Sequence, residues 1–112
     1  MPVKQSPANS GSDMYKQYCA SCHGLTGKGD GPAAAALKNP PSDITLMARH
    51  NSGRFPAMRV QNILEGKESP AAHGSSDMPV WGPILRHLGG GDQTGSLRIF
   101  NLTKHLESMQ AR

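Results

Sequence analysis

Two cysteines and a histidine fall within five residues, Cys19-Ala20-Ser21-Cys22-His23, and no other stretch constrains the fold as much. On a helix, positions three and four apart share a face, so Cys19, Cys22 and His23 converge on one side of one turn. C-x-x-C-H is the pattern through which a c-type haem is attached and its iron ligated. Two thiols reach the porphyrin vinyl groups while the imidazole meets the iron.

Three other uses of such residues have weaker support. A C-x-x-C redox pair follows a strand of a βαβ unit, but residues 1–18 contain no β-branched apolar run. A structural zinc site needs four ligands. The chain has two Cys, and His50, His73, His87 and His105 are scattered. A plain disulfide or two unconnected thiols remain the simple alternative. A second signal downstream favours haem: Met78-Pro79 with Trp81-Gly82 behind it. A thioether is a soft ligand that favours ferrous iron and raises the potential. Ser75-Ser76-Asp77 and Pro79 place Met78 in a loop, free to fold over a cofactor face. His73 in its place would make a bis-histidine site. Met14, Met47, Met58 and Met109 fall in or beside helical patterns and read as core filler.

No alternation of strand period is sustained, so the chain reads as all-α. Four helical stretches are predicted. The first runs from Ser12 or Asp13 to Ala20, with Ser12 as N-cap. Pro32 to Leu37 makes a short turn. Pro56 to Glu65 carries Ala57, Val60, Ile63 and Leu64 on one face and stops at Gly66. The last spans Gln93 to Met109, with Ile99, Leu102, Leu106 and Met109 on one stripe. Thirteen glycines and nine prolines leave the rest to loops, and with 36% hydrophobic residues a buried haem would supply much of the core. At 112 residues there is room for one domain.

From about Gly11 to Gln110 the chain resembles a class I cytochrome c with a single haem, of the bacterial soluble or domain type. The resemblance rests on Gly11 and Tyr15, Cys-Ala-Ser-Cys-His-Gly, Gly-x-Gly-Asp-Gly-Pro, Pro-Pro-Ser-Asp, Ile-Leu-Glu-Gly, Met-Pro-Val-Trp-Gly and a closing Leu-x-x-x-Leu helix, in that order. It implies three to four helices and long loops wrapped around one covalent haem c, with Cys19 and Cys22 as thioethers. His23 and Met78 are then the axial ligands, and Trp81 packs on the haem. In this family the first and last helices cross near Gly11 and Tyr15. Where the family commonly has an aromatic, three residues after Leu102, this chain has His105, whose neutral ring could stack on Tyr15. Both tyrosines precede the motif, so the mitochondrial-type hydroxyl that bonds the ligating sulfur has no equivalent.

A haem-ligating histidine normally donates its other ring N–H to a fixed acceptor. In the resembling family a Gly-Pro loop supplies it, and Gly31-Pro32 lies at a matching distance after His23. By position alone, Arg49, His50, Arg54, Arg59 and Trp81 are candidates for the propionates.

With both axial positions filled the iron has no open site, and the expected function is one-electron carriage rather than catalysis. One alternative is the electron-transfer domain or subunit of a larger oxidoreductase; the other is a gas sensor or peroxidase with an open site. Met1 to Ser6 lacks the charged and apolar regions of a signal peptide, yet bacterial haem attachment occurs outside the cytoplasmic membrane. A periplasmic or otherwise exported protein is therefore expected. Residues 1–10 read as a flexible lead-in or a tether to a membrane anchor, before a cytochrome domain at 11–112. No run approaches the roughly 20 apolar residues of a membrane span. The net charge is +4 with a pI near 9.4, but without a Lys/Arg block or many aromatics nucleic acid is an unsuitable partner. The expected partners are a redox donor and acceptor with acidic surfaces, meeting a rim of Lys28, Lys38, Lys67 and Arg86 on a monomer.

Overall fold

The computed structural model describes residues 8–36, 43–67, 84–85 and 91–111, which are helices and turns without a strand. The all-α expectation holds. Helix α1 (Gly11–Tyr18) begins one residue earlier than expected, because Ser10 rather than Ser12 is the cap. Ser10 is extended and its hydroxyl accepts the Asp13 amide at 3.2 Å, satisfying one otherwise orphaned donor. The predicted first helix does not run unbroken to Ala20. Cys19 breaks it, and a single further turn, α2 (Ala20–His23), follows. The Cys19 amide still bonds back to Tyr15 at 2.9 Å, while its carbonyl accepts the amides of Cys22 and His23.

Pro32 does not start an α-helix; a 3-10 turn forms at Ala34–Ala36. Helix α3 (Ala57–Glu65) ends as the sequence predicts, with left-handed Gly66 as its cap. The Lys67 amide reaches the Asn62 carbonyl at 2.8 Å, completing a Schellman closure. Helix α4 (Gly91–Ser108) is the long element. Ile99, Leu102 and Leu106 on its predicted stripe are buried and Met109 packs against them. Two 3-10 turns, Ile44–Leu46 and Arg49–Asn51, were not anticipated.

Helix α4 packs on both α1 and α3. Where α1 crosses it, a Cβ on Gly11 would overlap the Asn101 carbonyl oxygen and come within 2.8 Å of His105 Cβ. Only a residue without a side chain permits that approach. The core joins Met14, Tyr15 and Tyr18 of α1 to Val60 and Leu64 of α3 and to Leu102 of α4. Each fully buried large side chain contributes about 1.5–3 kcal/mol. Met58 is a correction to the core-filler expectation: at 77% exposure it points outward from α3, on the side away from Val60 and Leu64.

Candidate functional site

Helix α2 carries Cys22 and His23, and Cys19 caps it, its carbonyl accepting the amides of both. Cys19 is buried, Cys22 and His23 half-buried, and the two thiols are unlinked. Among the described residues no three His, Cys, Asp or Glu groups close around a common point as zinc ligands would. Burial, then the neighbouring Cys22, pushes the Cys19 thiol up to about 12. A redox-active dithiol needs the reverse shift. Two cysteines without a disulfide, followed directly by a histidine, fit a haem held by two thioethers and one nitrogen.

The loop after the motif folds back on it. The Gly29 amide bonds the His23 carbonyl at 2.8 Å, Gly31 the Cys22 carbonyl at 3.0 Å, and Ala33 the Ser21 carbonyl at 2.7 Å. A Cβ on Gly31 would overlap the Ser21 carbonyl oxygen. Pro32 therefore sits between two residues bonded to the backbone of α2, although it is itself exposed. A depression lined by Lys16, Ala20, Ser21, Leu25, Asp30 and Pro32 lies beside α2, and Cys19, Cys22 and His23 are not among its lining residues.

Met78, Trp81, His73, Lys38 and Arg86 lie outside the described residues. Arg49, His50, Arg54 and Arg59 are all exposed. In the expected cationic rim, Lys28 is exposed, while Lys67 pairs with Glu65 at 2.9 Å.

The Tyr15 ring meets His105 at 5.4 Å, tilted by 46°, the contact expected where the first and last helices cross. Two features escaped sequence reasoning. The Tyr15 hydroxyl donates to the Gly24 carbonyl at 2.6 Å, and nothing in the sequence pairs the two. The Arg98 guanidinium is 2% exposed on α4. Its spacing of four from Leu102 and eight from Leu106 was the available signal, in a residue type that is rarely interior.

The family model described as cytochrome C oxidase, cbb3-type, subunit III matches residues 6–68. It covers the motif and the Gly31-Pro32 loop and ends before position 78. No curated protein and no solved structure matches the chain.

Proposed function

Because the chain belongs to the cytochrome c domain family of cbb3-type oxidase subunit III, whose members hold haem c covalently, we propose that it is a one-electron carrier with His23 and Met78 as axial ligands. Electron transfer by a covalent haem protein is the family's property; the ligand pair and the carrier role are our reading. The observation that carries it is the short turn at Ala20–His23, capped by Cys19, which brings two cysteines with no disulfide between them next to His23.

Cys19 and Cys22 would hold the haem through two thioethers, and His23 would bind its iron. The haem then supplies a ferric/ferrous couple. Pro32, seated between Gly31 and Ala33, offers its carbonyl to the ring N–H of His23 that faces away from the iron and so fixes the tautomer. Met78 would be the second iron ligand, a soft thioether that raises the potential, and Trp81 would pack on the haem. With both positions taken by side chains, small molecules find no open site and the protein does not turn over a substrate. The family's description as an oxidase subunit favours one second reading, in which this chain is the electron-transfer part of a larger oxidoreductase. We place it on the exported side of the membrane, with residues 1–10 as a lead-in or tether. Its donor and acceptor are redox proteins with acidic surfaces, and it meets them as a monomer.

Substitution tests the ligands separately. Cys19→Ala with Cys22→Ala should abolish covalent haem, and haem-linked protein recovered from the pair would sink the attachment. Met78→Ala should keep both thioethers, lower the potential and admit carbon monoxide. An unchanged potential without carbon monoxide binding would exclude Met78 as the ligand.

A further inference from the structure

Resting on the reading of His23 as an axial ligand, we infer that Tyr15 is a positioning residue for that histidine, its hydroxyl holding the chain where it leaves the motif. The hydroxyl donates to the Gly24 carbonyl at 2.6 Å in a buried setting. The same oxygen accepts the Gly27 amide at 3.1 Å. Gly24 has φ 84° and ψ 160°, a conformation that side chains disfavour, so helical geometry no longer sets the direction of its carbonyl. Two donors set it instead. Beyond them the loop returns through Gly29 to the His23 carbonyl and through Gly31 to that of Cys22.

The tyrosine is itself fixed. Its ring is 1% exposed and lies against His105 of α4, beside the Gly11 crossing. The docking of α4 on α1 is thereby transmitted to the backbone that carries His23. A site that only needed filling would take phenylalanine, whereas a buried phenol requires an acceptor. Burial, then Cys19 and Asp30, pushes this phenol up to about 12, so it remains a donor at all ordinary pH. Without the hydroxyl, the Gly24 carbonyl keeps one donor, and its less compensated dipole beside the ligand favours ferric iron.

The test is Tyr15→Phe in the haem-loaded full chain, which keeps the ring and removes one oxygen. Thr103→Val serves as the control, because it removes a buried hydroxyl bonded to the Ile99 carbonyl at 2.7 Å within α4. In Tyr15→Phe the Gly27, Gly29 and Gly31 amides should exchange about tenfold faster. The His23 ring resonances should shift and the reduction potential should fall. Thr103→Val should lose comparable global stability and change none of these. A Tyr15→Phe protein with unchanged His23 resonances and potential, and loop exchange that rises only with global unfolding, would overturn the inference. Wild-type protein without covalent haem would overturn the functional reading and this inference together; loaded wild type with an unmoved variant would overturn this one alone.

Discussion

At the crossing of α1 and α4, His105 occupies a place where its charged form is disfavoured. Burial first, and Lys16 second, hold its pKa below the usual 6.5. The folded chain therefore prefers the neutral ring, and below that value the unfolded chain binds more protons. His105 stabilises the fold fully above pH 6.5, and the contribution is lost as pH falls through the folded-state value. His105→Phe should remove that dependence: between about pH 7.5 and about pH 5.5, its denaturant midpoint should fall less than that of the wild type. Parallel declines would contradict this. Gly11→Ala, which drives a methyl into the Asn101 carbonyl, should cost about 2–3 kcal/mol by denaturant unfolding. The Tyr15–His105 contact was legible because the resembling family crosses its first and last helices at these positions. The bond from Tyr15 to Gly24 was not, since it depends on how a glycine turns after the motif.

Among the elements, α3 and α4 were the most legible, because their apolar residues recur at helical spacing and Gly66 stops α3. The break between α1 and α2 was hidden: Met14 to Ala20 reads as one continuous pattern, and only the backbone at Cys19 ends it. The turns at Ile44–Leu46 and Arg49–Asn51 were hidden for another reason. Asp43 caps the first through the Thr45 hydroxyl at 2.6 Å and amide at 3.0 Å, the Ile44 amide bonds the Gly27 carbonyl at 2.8 Å, and further support comes from the far end of the chain. The Gln110 carboxamide accepts the Ala48 amide at 2.9 Å and donates to the Ile44 carbonyl at 2.7 Å, while the Ala111 amide bonds Thr45 at 2.8 Å. No local pattern predicts a clamp spanning more than sixty residues. Gln110→Ala should cost about 2 kcal/mol and speed amide exchange at Ala48. An Ala48 amide as protected as in the wild type would show that the clamp is dispensable.

At the scale of the whole molecule, the described core is small, and Leu25, Met58, Leu97 and Phe100 remain substantially exposed. Such a chain gains much from a large apolar group held in place. The Cys19→Ala, Cys22→Ala double variant should accordingly unfold at lower denaturant than the loaded protein, by about 2 kcal/mol or more, and equal midpoints would show that the helices need no cofactor. No described helix is long and apolar enough to cross a membrane. The motif and its helical turn were readable from five residues, whereas the sixth ligand rests on Met78 and its loop alone. The most direct test of the His/Met carrier is the visible and far-red absorption spectrum of the ferric and ferrous protein, with carbon monoxide added to the reduced sample. A c-type reduced spectrum, a weak far-red sulfur-to-iron band and no response to carbon monoxide are the predicted result. A missing far-red band with rapid carbon monoxide binding would contradict it and place an open iron site in this chain.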